Sequence, residues 1–136
     1  MEQIKIGAGV VIWKDNKVLL GFRISAHGNG EWAFPGGHIE FGEDPGDGVI
    51  REAMEETGLR ISSVVKLSFT NDFYQNGRQY ITLFYQALEW SGTVENREPE
   101  KCREWVWFDP NALPTPLFNP IITFLTENKL AYIGNL

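Results

Sequence analysis

A glycine-rich turn runs straight into a segment carrying three glutamates within five residues, Glu52, Glu55 and Glu56, and a fourth carboxylate, Glu43, lies just ahead of it. The stretch from Gly37 to Leu59 therefore sets tight limits on the rest of the chain. Carboxylates this close repel one another unless a cation sits among them. Clustered oxygen ligands suit magnesium or manganese.

The segment reads as a helix on physical grounds. Asp44 is an N-cap, Pro45 fits the first helical position and Gly58 is a C-terminal stop. At ~100° per residue, Val49, Ile50, Ala53, Met54 and Thr57 share one side. Glu52, Glu55 and Glu56 share the other, so the apolar side packs on a sheet while the acidic side looks into a cleft. Gly46 and Gly48 weaken the first turn by propensity and predict an irregular start.

An acidic helix face is most often simply solvated. Two features weigh against that here. Arg51 adjoins the acids instead of alternating with them, and Phe34-Pro35-Gly36-Gly37-His38 reads as a tight turn bringing bare backbone close to a ligand.

The segment resembles the Nudix box, Gly-x5-Glu-x7-Arg-Glu-U-x-Glu-Glu-x-Gly-U with U aliphatic, and Gly37, Glu43, Arg51, Glu52, Glu55, Glu56, Gly58 and Leu59 match in register. Ala53, at the first U, is smaller than usual. The likeness covers roughly residues 5–125. Outside the box it rests on Val18 to Arg23, Trp32 to His38, Glu98 to Cys102 with Trp105 and Trp107, Leu113-Pro114 and Leu117-Phe118. These look like MutT-like nucleotide hydrolases related to the plant cytosolic Nudix hydrolases and the human thioguanine-nucleotide-hydrolysing enzyme. The fold this implies is a Nudix α/β/α sandwich with a mixed β-sheet, as one domain spanning 1–136 with its box at 37–59.

The rest of the chain is consistent with that class. At 136 residues, 43% hydrophobic and 22% charged, it can bury a core as one domain. A net charge of -6 disfavours nonspecific binding to nucleic acid or anionic membranes. A lone cysteine, Cys102, excludes an internal disulfide and reads as a structural thiol. With no signal peptide and no membrane-length apolar run, a reducing cytoplasm is the simplest setting.

Ile4 to Trp13 reads as a strand, forming a hairpin through Asp15-Asn16 with Lys17 to Arg23. Ser25 to Glu31 is a polar loop. Ser63 to Tyr74 and Arg78 to Trp90 read as a long hairpin about Asn76-Gly77, with Tyr80, Thr82, Phe84 and Gln86 on one face. Ser91 to Lys101 is a loop, Glu104 to Phe108 a short strand, Asn111 to Pro116 a turn, and Pro120 to Asn128 an amphipathic helix.

The resemblance implies site roles. Glu52 and Glu56 are the principal metal ligands, a carbonyl at Gly36 or Gly37 adds another, and Glu55 orients water or a second metal. Glu43 and Arg51 read as an ion pair locking the loop to the helix, with phosphate contact by Arg51 as the alternative. The general base is a box glutamate or a later loop carboxylate, Glu100 ahead of Glu98. Arg23 and His38 are candidates for phosphate. Phe34, Thr82, Phe118, Asn119, Pro120 and Ile121 are candidates for the base pocket. Pro120 lacks a donor there, and the Asn119 amide can pair with a purine edge.

The expected activity is Mg2+-dependent hydrolysis of a purine or oxidised-purine nucleoside triphosphate to monophosphate and pyrophosphate, with Mn2+ as substitute. Rival substrates are NADH, ADP-ribose and dihydroneopterin triphosphate. Rivals of another class are a non-catalytic nucleotide sensor and an acidic interaction protein. Five tryptophans, four tyrosines and nine phenylalanines also suggest a homodimer, against a simple large aromatic core.

Overall fold

The helix forms where its end signals predict. In the computed structural model, which describes residues 2–134, α1 spans Pro45–Thr57. Asp44 accepts hydrogen bonds from the N–H groups of Gly46 and Asp47, and Gly58 closes the helix in the left-handed region at φ 76°. Its start is regular, contrary to the expectation from Gly46 and Gly48. Gly48 instead makes room, because a Cβ there would lie 2.9 Å from Glu43 Oε1.

Strands β1 (Ile4–Val11), β5 (Gly36–His38), β6 (Arg60–Phe73) and β7 (Gln79–Ser91) form one four-stranded sheet in the order β5-β1-β7-β6. The β1–β7 pair is parallel and the others antiparallel, so the sheet is mixed. Strands β2 (Trp13–Lys14), β3 (Lys17–Arg23), β4 (Trp32–Ala33) and β8 (Cys102–Phe108) form a second sheet, with β8 against β3. Helix α2 (Asn119–Glu127) follows.

The first expected strand divides at Ile12. Residues up to Val11 pair with β7, while Trp13 and Lys14 pair with β3 across the turn at Asp15 (φ 51°) and Asn16 (φ 64°). Val10, Val11 and Ile12 are fully buried because the chain crosses between two sheets at this point. The expected tight turn at Phe34 to His38 is instead short strand pairing, Ala8↔Gly37 and Gly9↔Gly36. Only glycine fits at Gly36, where a Cβ would lie 2.0 Å from the Ala8 carbonyl oxygen. The long hairpin turns through Gly77 at φ 82° as expected.

Two apolar layers flank the first sheet. Val49 and Ala53 of α1 pack with Ala8, Val10, Leu59, Tyr85 and Ala87. On the other side, Phe34, Phe84, Ile121 and Phe124 form the second layer. No helix among the described residues is long and apolar enough to cross a membrane.

Candidate active site

A cavity of about 560 Å3 is lined by both sheets, with Gly7 to Gly9 of β1 and Tyr80, Thr82 and Phe84 of β7 contributed by the first. The period-2 alternation along β7 points these three side chains the same way, as the sequence predicts.

Glu52 and Glu56 line one side of the cavity. Glu56 Oε1 accepts a hydrogen bond from Gly36 N–H at 2.9 Å. Burial raises the Glu56 pKa to about 8, and neighbouring Glu52 and Glu98 push the same way, while the Gly36 bond opposes them. Glu52 is also raised, chiefly by burial, against the pull of Arg51. Gly37 faces Glu52 so closely that a Cβ would lie 2.7 Å from its Oε1.

Glu55 is placed differently. It lies outside the cavity lining and accepts a bond from Arg51 Nη1 at 2.8 Å. Arg51 also grips Glu43 through Nε at 2.7 Å and Nη2 at 3.1 Å, the expected lock between loop and helix. That fork holds the Glu43 carboxyl below its ordinary range.

The two loop carboxylates are placed differently. Glu98 lines the cavity near Glu52 and Glu56, whereas Glu100 is exposed and outside it. The loop folds back through Lys101 N–H and Cys102 N–H to the Glu98 carbonyl oxygen, and this turn aims Glu98 inward. Cys102 borders the cavity too, but burial pushes its thiol up to about 11, as for a structural residue.

Arg23, Phe34, His38, Thr82, Phe118 and Ile121 all reach the cavity. Arg23 lies over the Phe118 ring at 4.5 Å and faces Glu56, so it links the aromatic and acidic sides. The His38 pKa is lowered by burial, with Lys5 and Arg23 adding to the effect. Asn119 does not line the cavity. Its amide donates to Asp72 Oδ1 at 3.1 Å, which helps satisfy a buried carboxylate. Sequence reasoning missed His27, Lys101 and Tyr80. Tyr80 was within reach, since it shares the strand face of Thr82. His27 sits in an aperiodic loop with no such signal.

The residues fit a divalent cation. Glu52 and Glu56 both line the cavity, where a cation would offset the cost of burying two carboxylate charges, and bare backbone at Gly37 lets the Glu52 carboxylate approach closely. Among the described residues no three acidic, histidine or cysteine side chains converge as a ready cage, and Arg51 Nη1 donates to both Glu52 and Glu55. Backbone oxygens, substrate and water would complete such a site.

Residues 3–126 match the NUDIX domain family. The chain belongs to the Nudix family. An 8-oxo-dGTP diphosphatase from Proteus vulgaris is 32% identical over 75% of this chain and 90% of its own length. The 8-oxo-dGTP diphosphatase of Escherichia coli is 32% identical over 92% of this chain and 98% of its own. The crystal structure of a MutT Nudix hydrolase from Burkholderia pseudomallei superposes with a TM-score of 0.86 at 28% identity, covering 95% of this chain and 99% of that one. The family, the intact box and these MutT-like relatives make this chain a Nudix pyrophosphohydrolase.

Proposed function

We propose that this Nudix enzyme hydrolyses a purine or oxidised-purine (deoxy)nucleoside triphosphate to the monophosphate and pyrophosphate, with Mg2+ as cofactor and Mn2+ as substitute. One observation carries the reading. A single cavity joins an acidic group, Glu52, Glu56 and Glu98, to an aromatic group, Phe34, Tyr80 and Phe118, with Arg23 between them. A nucleotide has the complementary polarity, anionic at one end and flat and aromatic at the other. The two 8-oxo-dGTP diphosphatases among the relatives support an oxidised purine. The subgroup likeness carried by Glu98 to Cys102 and Leu117-Phe118 agrees with a small nucleotide.

Divalent metal chemistry supplies charge neutralisation on phosphate and an acidified water. In this reading Glu52 and Glu56 hold the cation, together with a carbonyl at Gly36 or Gly37. Glu98 takes the proton of the attacking water, since it reaches the cavity and Glu100 does not. Arg23 binds phosphate oxygens. Phe34, Phe118 and Ile121 enclose the base, and Thr82 offers a hydroxyl beside it.

A nucleotide panel with phosphate-release detection tests the assignment. Turnover with Mg2+ and none in excess EDTA is expected. Preference for ADP-ribose, NADH or dihydroneopterin triphosphate would move the substrate class, and full turnover in EDTA would end the metal-dependent reading.

The proposal includes a homodimer and excludes nucleic acid and membrane partners. The register places Ile4, Ile6, Phe69 and Phe73 on one sheet face, and these are 60%, 40%, 60% and 72% exposed. Such a patch suits a self-contact. A monomer mass in light scattering at micromolar concentration would count against it.

A further inference from the structure

The loop between β3 and β4 fills part of the nucleotide cavity with its own groups. The His27 imidazole lies on the Tyr80 ring, with centroids 4.6 Å apart and planes 9° from parallel. Phe118 meets the imidazole edge-on at 5.3 Å. All three rings line the cavity. The backbone of the same residue holds the neighbouring cation, since the His27 carbonyl oxygen accepts from Arg23 Nε at 3.1 Å and Nη2 at 2.8 Å. Ser25 Oγ donates to that oxygen as well, at 2.9 Å.

One feature of this packing is uncompensated. Among the described residues, His27 Nε2 is buried with no hydrogen-bond partner. Such a group disfavours the arrangement that buries it. The loop's turn depends on glycine. Gly28 and Gly30 occupy the left-handed region at φ 71° and 78°. A Cβ at Gly28 would strike the Phe118 ring at 2.7 Å and Arg23 Nε at 2.8 Å.

We propose that His27 is an internal occupant of the nucleobase slot: the incoming nucleotide displaces residues 24–31, its base takes the imidazole's place on Tyr80, and Arg23 is released to the phosphates. This rests on the nucleotide reading above. The exchange is favourable at both ends. A purine offers Tyr80 a larger stacking face than an imidazole does. A phosphate oxygen is a stronger acceptor for a guanidinium than a peptide carbonyl is. Moving the loop outward also returns His27 Nε2 to water.

The chain has two histidines, so the imidazole proton signals can be assigned with His27→Gln and His38→Gln. In the free protein, stacking on Tyr80 shifts the His27 ring signals upfield. The protein is titrated with a purine nucleoside α,β-methylene triphosphate and Mg2+, and binding is followed in parallel by tryptophan fluorescence. The His27 signals should move to solvent-like positions with the same saturation as the fluorescence. His27→Ala should raise the association rate by about threefold or more, because the slot is then empty. Tyr80→Leu should abolish the upfield shift and weaken binding about tenfold.

Saturating nucleotide that leaves His27 at its stacked position overturns the inference while the nucleotide reading stands. So does weaker binding by His27→Ala, or unchanged binding by Tyr80→Leu. Failure of every nucleotide in the panel to bind overturns both together.

Discussion

Gly36 donates its backbone N–H to Glu56 Oε1 at 2.9 Å, across twenty residues of sequence, and so ties the glycine strand to the acidic face of α1. The bond explains how a glutamate can sit half-buried beside Glu52 and Glu98. It supplies one fixed donor while Glu56 lines the cavity. The same glycine cannot carry a side chain, because its α-carbon packs against the Ala8 carbonyl. One backbone contact thus joins the sheet register to the chemistry.

Glu56 should make the metal-free protein less stable as pH rises. Its pKa is about 8 in the folded chain against an ordinary 4.5. Below the lower value the carboxyl is neutral in both states. Between the two values the folded chain keeps a proton that the unfolded chain has lost, so stability falls with rising pH and the full penalty is present above the upper value. The penalty is on the order of 5 kcal/mol. Glu56→Gln should remove this slope and be more stable than the parent at about pH 9, as read from urea unfolding in EDTA. In Mg2+ the same variant should lose activity by orders of magnitude.

Glu98 and Glu100 should separate cleanly in kinetics. Glu98→Gln is expected to lower kcat by about 10²- to 10⁴-fold, the range for loss of a general base. Glu100→Gln should stay within about twofold of the parent, as a surface carboxylate would. Equal losses in single-turnover measurements would remove Glu98 from its role.

The two adjacent glycines should fail for different reasons. Gly36→Ala puts a Cβ 2.0 Å from a backbone oxygen, which cannot yield without breaking β1–β5 pairing. A loss of about 2–3 kcal/mol in chemical denaturation is expected. Gly37→Ala meets the Glu52 carboxylate at 2.7 Å, which can swing aside. That variant should keep most of its stability and show weaker Mg2+ binding in calorimetry.

Phe118→Ala should raise KM about tenfold and leave kcat within about threefold, because the ring contacts the base end and not the reacting phosphorus. With dGTP run to completion, ion-exchange chromatography should show dGMP and pyrophosphate. Orthophosphate with dGDP as the only products would mean that the γ-phosphate is cut and the substrate lies the other way round.

The sequence by itself determined the local parts. Asp44, Pro45 and Gly58 set both ends of α1, since capping depends on neighbours within one helical turn. The spacing of Glu52 and Glu56 put both on one helix face, and the alternation along β7 put Thr82 and Phe84 on one sheet face. Asn76-Gly77 marked the long hairpin. Each of these signals is short in range.

Only the tertiary structure decided what depends on distant partners. The division of the first strand at Ile12 follows from two sheets competing for neighbouring residues, and the long β7 and short β3 lie far apart in sequence. Loop carboxylates carry no periodicity, so Glu98 and Glu100 were distinguished only by the turn that closes on Lys101 and Cys102. Asn119 reads as a base-pairing amide, and only the fold shows one of its N–H groups given to buried Asp72 on β6. That Arg51 bonds Glu55 as well as Glu43 and Glu52 is visible only in the folded chain. Helix and strand periods come from backbone geometry that each residue carries with it. The partner of a polar side chain is fixed by burial, which exists only once the sheets and helices have packed.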